Sequence, residues 1–447
     1  MKERLFWGNW RVMLLHRRNA KFLMLNLVVL FMIMFVVTNL VIIYNYPNEI
    51  NLMQGHSQKL ENSFLCKLVP NNEKQSSIDL SKLSSMLTSF TLIQANTEGK
   101  TNAKLKMLNV LPVKNVTVNV IPDKKIIPSG EAIGVKIQTK GVLVVGLSSI
   151  TASDGKKRSP AANAGFEVGD TILEIDGNKV EKERDISAIV NENSNKKLNF
   201  LIERSGTQHN LSVQPIQSID DDIYRIGLWV RDNIAGVGTM TFYDPETNSF
   251  GALGHGITDI DSGVLIDISK GTILKSKVAS VQKARKTVPG EIVGIFYESD
   301  EPYGMIYGNT KYGIYGKIKK RYKIDNKKAM PIALSYQVKE GPAKILSTID
   351  GDKIEEFDVE IQKVNRQSTA GAKSMMLKIT DKRLLDITGG IVQGMSGSPI
   401  IQDGRVVGAV THVLVNDPTR GYGIFIEWML EEAEVQLESS IKEAAGQ

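Results

Sequence analysis

Two short segments hold side chains able to open a peptide bond. The stretch "QGMSGSPIIQDGRVVGAV", Gln393 to Val410, sets Ser396 and Ser398 among glycines. Such glycines admit turns closed to other residues and let a substrate carbonyl come near. The same composition also builds ordinary tight turns. A serine hydroxyl is a weak nucleophile until a base accepts its proton, and histidine is scarce. Of five, His16 lies in the N-terminal tip, His56 in a polar stretch beyond the apolar segment, and His209 far from the serine, leaving His255 and His412. His255 sits between two glycines in "GALGHGITD", an exposed turn suited to a general base. His412 falls on the strand returning from the serine loop and is given a secondary role. The base needs an orienting carboxylate. Asp259, Asp261 and Asp267 follow the histidine, Asp381 and Asp386 precede the serine, and spacing does not choose among them.

The elements that must position these groups read as strands. From Gly236 to Glu427 the pattern is β throughout, opening with a strand, a turn at Asp244-Pro245 and a second strand that runs into His255. This layout resembles the first hairpin of trypsin-like proteases. The serine loop, its following strand, the Asp403-Gly404 turn and the returning strand resemble the nucleophile region of the same enzymes. By that likeness the N–H groups of Gly394 and Ser396 would form an oxyanion hole. Upstream, "SPAANAGFEVGDTILEIDG" resembles the PDZ domains attached to bacterial proteases, with "ERDISAIVNEN" as the helix beside the groove and a closing hairpin turning at Ser205-Gly206. Such domains bind an extended peptide as an added strand. The groove is expected at Thr139, Lys140, Gly141 and Val142, where backbone N–H groups could hold a carboxylate.

Composition narrows the class. The 42% hydrophobic and 23% charged content is that of a globular chain. The formal charge of +6 is concentrated at the start, where six basic residues in 1–21 oppose Glu3 alone, so the remainder is nearly neutral and a nucleic-acid partner loses its support. Residues 22–43 carry no charge and would cross a bilayer as a helix of roughly 30 Å. The basic flank puts the N-terminus in the cytoplasm and the rest across the membrane. Residues 44–103, rich in Asn, Ser, Gln and Lys, read as a partly helical stalk, and exposed backbone there is the expected place for proteolytic nicking. Cys66 is the single cysteine, which excludes an intrachain disulfide and gives no support to a metal site or a cysteine nucleophile. The closing pattern "WMLEEAEVQLESSIKEAAGQ" predicts a helix packed through Met429, Leu430 and Val435.

The anchor, the PDZ-like part, "GALGHGITDID", "ITDKRLLDITGGIVQGMSGSP" and "IIQDGRVVGAVTHVLVNDPTRGYGIFIEWM" together resemble the SpoIVB serine peptidases, family S55. The resemblance implies a triad of His255, Asp381 and Ser396, with Asp386 the alternative acid, and requires neither metal nor cofactor. It implies a self-cleaving sporulation endopeptidase that crosses into the space between mother cell and forespore. There it would cut a regulatory membrane protein and so trigger processing of a sigma-factor precursor. A non-catalytic PDZ signalling scaffold is the alternative, and a general envelope quality-control protease a weaker one. The expected fold is mainly β: a transmembrane helix at 22–43, a stalk at 44–103, a β segment with the PDZ domain at 104–217 (core 128–215), and a chymotrypsin-like double β-barrel at 218–447. The part of 280–375 has no assigned role.

Overall fold

The computed structural model describes residues 24–445, apart from 42, 45, 62–65, 72–77, 86–87, 109, 194–195, 297–300, 320–327 and 368. The basic tip at 1–21 lies outside the described residues. The chain divides into two compact units, Met1–Asp123 and Lys124–Gln447.

In the first unit, residues Met24–Val41 form a helix of mean hydropathy 2.5, long and apolar enough to cross a membrane. Two polar groups near its C-terminal end bond within the helix: Thr38 Oγ1 donates to Met34 O at 2.8 Å and Asn39 Nδ2 to Phe35 O at 2.7 Å. Each therefore bonds the preceding turn and needs no water. The stalk expected at 44–103 is instead folded β-structure. One sheet orders Glu49–Met53, Leu111–Ile121, Gly99–Met107 and Cys66–Pro70, and a second orders Ser57–Glu61, Thr88–Ala95 and Ile78–Ser85. The alternation hidden in these polar-looking runs supplies the reason. Ile50, Leu52, Leu68, Ile93, Leu105, Val116 and Val118 are buried while the residues between them face outward.

The second unit holds two closed barrels of six strands each. The first joins Ala132–Leu147, Ile268–Lys275, Gly304–Thr310, Gly313–Ile318, Ser249–Ala252 and Leu228–Asp244, closed by pairing of the last with the first. The second joins Gly341–Asp350, Lys353–Val364, Met375–Ile379, Arg420–Phe425, Arg405–Val413 and Pro399–Gln402. This is the expected chymotrypsin-like double barrel, with a different division of the chain. The first barrel begins at Ala132, ahead of the PDZ domain, and the PDZ domain is inserted between the two longest strands. The part of 280–375 is barrel as well, including Gly304–Thr310, Gly313–Ile318 and the first two strands of the second barrel.

The PDZ domain grows from the far ends of those long strands. Val142, Val144, Ile172, Phe200 and Ile202 share its core, and Phe166 meets Phe200 edge-on with ring centroids 5.4 Å apart. The short helix Pro160–Ala164 stops at Gly165, the hairpin turns at Ser205-Gly206, and the helix Glu183–Glu192 flanks the sheet. The last helix, Ile426–Ala445, packs through Met429, Leu430, Trp428 and Ala433, whereas Val435, expected inside, is 56% exposed.

One buried ion pair ties the PDZ domain together. The Asp170 carboxylate is fully buried and accepts from Arg204 Nε at 2.6 Å, Arg204 Nη2 at 2.7 Å and Glu167 N at 2.9 Å. Removing Asp170 strands the Glu167 N–H and leaves Arg204 only its bonds to Glu167 Oε1 and Gly165 O. Asp170→Ala is expected to destabilise the unit by about 3 kcal/mol, read as a lowered denaturation midpoint for the detergent-solubilised chain.

Candidate active site

A cavity of about 840 Å³ opens between the barrels and gathers His255, Ser396, His412 and Gly394 on its walls. Apolar residues, among them Ile137, Ile234, Leu253 and Val392, supply most of the rest, and Lys311 is the one charged side chain among the described lining residues apart from the two imidazoles.

His255 follows the strand Ser249–Ala252 directly, on a turn that projects it into the cleft. Its Nδ1 lies 2.9 Å from the carbonyl oxygen of Gly256. A carbonyl only accepts, so in the neutral ring Nδ1 carries the proton and Nε2 keeps the lone pair that a base needs. Burial pushes this imidazole below its usual pKa, opposed by the Gly256 bond. His412 packs beside it with ring centroids 5.1 Å apart, and burial together with the charges of His255 and Lys373 brings it down to about 4. Both rings are accordingly neutral at neutral pH.

Ser396 sits on a loop whose conformation is fixed from two sides. Gln393 N donates to Gly290 O at 2.9 Å and Gln393 O accepts from Ile292 N at 2.8 Å, a parallel bridge to the hairpin Lys277–Gln282/Glu291–Ile295. From the first barrel, Thr239 Oγ1 donates to Gly394 O at 2.7 Å and Thr239 N to Ser396 O at 3.1 Å. Gly394 and Gly397 hold φ of +94° and +98°, and a Cβ on Gly397 would stand 2.0 Å from Thr239 O. With these carbonyls tied back, the N–H groups of Gly394 and Ser396 have no acceptor among the described residues. Two unsatisfied donors beside a serine are what a developing oxyanion requires. The Ser396 hydroxyl itself donates to Thr411 O at 2.7 Å, and must release that bond to face His255.

The third residue expected in the triad is placed elsewhere. Asp381 caps the helix Lys382–Thr388, its Oδ1 accepting from Arg383 N at 2.9 Å, and its Oδ2 receives Arg383 Nη2 at 2.8 Å. The Arg383 guanidinium holds this carboxyl below the usual range, with burial acting against it. It does not line the cleft, and direct service to His255 would require exchanging Arg383 and the cap for the imidazole. The local reason is legible in "TDKRLL", an aspartate followed by helix formers, which is an N-cap pattern. Asp386 contributes its carbonyl, which accepts from Lys283 Nζ. Asp259 is buried; burial raises its carboxyl, but bonds from Ser262, the Arg231 charge and Asp261 N outweigh this and keep it ionised.

The peptide groove of the PDZ domain also differs from expectation. Thr139 and Val142 are buried, and neighbours flank this stretch on both sides: Thr139 pairs with Ile268, Lys140 N donates to Asp267 O, Val142 pairs with Ile172, and the Thr139 hydroxyl bonds Gly141 O and Asp232 O. No edge remains there to accept a peptide. A groove of about 640 Å³ lies instead between the helix Glu183–Glu192 and the stretch Tyr224–Val230, with Ile186, Val190 and Leu228 among its apolar walls and Glu183, Asp220 and Asp221 at its rim. Leu228, Trp229 and Val230 pair with Leu147, Gly146 and Val144 on one side. The N–H groups of Ile226 and Gly227 have no acceptor among the described residues. The sequence signal was "YRIGLWV", a glycine between apolar residues opening a strand, but it lies after the PDZ signature rather than before it.

Residues 222–430 match the family model described as SpoIVB peptidase S55, and residues 151–204 match a PDZ domain. Curated relatives include a probable protease, eep, from Enterococcus faecalis, 41% identical over 56 residues (12% of this chain, 13% of that protein). A putative zinc metalloprotease from Treponema pallidum is 28% identical over 118 residues (26% and 25%). The chain thus spans only 13–25% of the length of the curated relatives it matches. Among solved structures, the active form of the Rv3671c protease from M. tuberculosis aligns over 44% of this chain and 74% of its own at 14% identity and TM-score 0.27. The PDZ domain of an SdrC-like protein from Listeria monocytogenes aligns over 20% and 87% at 18% identity and TM-score 0.17.

Two outcomes are expected of the site. Thr239→Val, which keeps the shape and removes the Oγ1 bond to Gly394 O, lowers kcat about tenfold or more with KM little changed, while Thr239→Ser restores it; the steady-state cleavage of labelled casein reads both. Because the His255 base stays unprotonated below its usual pKa, activity persists as pH falls through ~6.5. The acid limb of the kcat/KM profile has its midpoint below that value.

Proposed function

Because the chain belongs to the SpoIVB peptidase family S55, we propose that it is a membrane-anchored serine endopeptidase whose chemistry is run by Ser396 and His255. Its cleft faces the extracytoplasmic side. The observation that carries the reading is the meeting, on one cleft, of a serine, a neutral imidazole with Nδ1 fixed on a carbonyl, and two N–H groups without acceptors. Ser396 Oγ turns from Thr411 O and attacks the substrate carbonyl while His255 Nε2 takes its proton. The Gly394 and Ser396 N–H groups receive the oxyanion. His255 returns the proton to the leaving amine, and a water activated by the same nitrogen releases the acyl group. Asp381 serves this arrangement through the helix it caps, which leads into the nucleophile loop.

The substrate is an extended segment with apolar side chains, in keeping with the lining of the cleft. In the family setting we assign it as the extracytoplasmic part of a regulatory membrane protein in the space around the forespore, with self-cleavage in the N-terminal unit. Cutting the regulator then releases sigma-factor processing. The groove beside Tyr224–Val230 takes a peptide as an added strand along Leu228–Val230, its terminal carboxylate on the Ile226 and Gly227 N–H groups. It selects the partner or the enzyme's own segment.

One observation favours the second reading, a non-catalytic signalling scaffold: the Ser396 hydroxyl is bonded to Thr411 O and not to His255. Ser396→Ala in the full chain separates the two. On the enzymatic reading casein cleavage falls by about a thousandfold or more, labelling by a fluorophosphonate is lost, and spore signalling stops. Signalling that continues without cleavage assigns the chain to the scaffold class.

A further inference from the structure

The hairpin Gly99–Met107/Leu111–Ile121 ends in a tip that exposes three large apolar residues in sequence, Leu108 at 67%, Val110 at 80% and Leu111 at 55%. Elsewhere in the same two strands the apolar side chains are hidden, with Leu105, Val116 and Val118 nearly inaccessible. Leu108 occupies a turn with φ of +51°, a position that glycine, asparagine or aspartate fills at lower cost. Turn geometry therefore gives no reason for these residues.

Their place in the fold does. After the helix Met24–Val41 the chain enters the strand Glu49–Met53, which runs parallel to Leu111–Ile121 in the register Glu49 to Thr117 and Met53 to Ile121. A parallel partner starts at the same end. The beginning of Leu111–Ile121 thus lies where the chain leaves the helix, and the tip precedes it. Lys114 fixes the level, because its Nζ donates to Tyr44 O at 3.3 Å and to Tyr46 O at the helix exit. Leu111 is three residues nearer the membrane along the strand, about 10 Å at the strand rise. Tyr44, 85% exposed, is the residue type that marks a bilayer interface. Lys104, Lys106 and Lys114 stand behind the tip at the depth of anionic headgroups.

We propose that this tip inserts into the outer leaflet of the bilayer beside the membrane helix, with Leu108, Val110 and Leu111 in the acyl boundary and the three lysines among the headgroups. The N-terminal β unit is then held on the membrane at two points and cannot swivel about the helix end. The inference rests on the helix spanning the bilayer, and it is independent of the catalytic assignment.

The test uses the full chain in vesicles of phosphatidylcholine and phosphatidylglycerol. Val110→Cys carries an environment-sensitive nitrobenzoxadiazole label. Cys66, being buried, stays in place, and the parent chain supplies the background. Gln54→Cys, whose backbone N bonds Ile121 O at the far end of the sheet, is the reference. The label at 110 is expected to shift its emission to the blue and to be quenched by doxyl-labelled lipid, and the label at 54 to do neither. Alkaline carbonate extraction of the same vesicles reports the helix separately. Equal, weak quenching at both positions in a chain that resists extraction overturns the tip insertion alone. Release of the chain by carbonate overturns the anchor and the insertion together.

Discussion

The pairing of Ala132–Leu147 with Leu228–Asp244 is the constraint on which the second unit depends, since both strands belong to a barrel at one end and to the PDZ domain at the other. A strand alternates faces with period two, so a straight strand that fed both cores would present the same parity to each. The first strand does not. Ile133, Val135 and Ile137 enter the barrel core, whereas Val142 and Val144 enter the PDZ core. The change from odd to even occurs around Gly141, which holds φ of +80° with its Cβ position 2.5 Å from Ile172 O. On the partner strand, register shifts between Trp229 and Val230 and between Arg231 and Asn233 absorb the same step. Bulges that bend and twist a pair at such points are how one ribbon can serve two cores.

Arg231 stands at that crossing and joins the groove to the cleft. It follows the Leu228–Val230 segment directly, and its guanidinium bonds Asp259 and reaches Asp261 at 2.9 Å. Asp259 Oδ1 in turn collects Asp261 N, Ser262 N and the Ser262 hydroxyl, organising the loop that continues from His255 through Gly256, Ile257 and Thr258. Burying that carboxylate is unfavourable unless it is paired, so the loop after the histidine and the strand behind the groove hold one conformation together. The pairing of the same long strand with Ala132–Leu147 ends at Thr239, which ties the nucleophile loop. Groove edge, histidine loop and oxyanion loop are thus attached to a single strand.

What was legible in the sequence is what its chemistry keeps local. Ser396 and His255 each sit inside a glycine-bracketed motif, so the turn, the strand and the reactive atom come from adjacent residues. Three features were carried by distant pairings instead. The groove edge at Tyr224–Val230 lies well beyond the PDZ signature, which ends at Gly177, and only the long-strand pairing brings it to the helix Glu183–Glu192. The N-terminal sheets alternate correctly, but with Asn, Lys and Ser on the outer face, and a polar outer face reads like a linker when its partner strands are unknown. Asp381 is ambiguous by type, because an ionised carboxylate serves a helix N-terminus as well as an imidazole; the arginine two residues on decides where it rests.

The unsatisfied N–H groups of Gly394 and Ser396 show why the site needs this much support. A donor without an acceptor costs about 1–3 kcal/mol when fully buried; Gly394 and Ser396 are half-buried on the cleft wall, so the cost here is smaller, and rotating the peptide planes would remove it. The Gly394 N–H shares its peptide plane with Gln393 O, which accepts from Ile292 N at 2.8 Å, and the Ser396 N–H shares its plane with Met395 O, which accepts from Ser398 N at 3.0 Å. In each case relief of one donor strands an acceptor. Met395, between these planes, is fully buried and apolar, so no charged group inside the loop contributes to holding it. The loop is held by bonds to the hairpin Lys277–Gln282/Glu291–Ile295, to Thr239 of the first barrel and within itself, so a neutral, glycine-rich hexapeptide keeps two N–H groups without acceptors among the described residues.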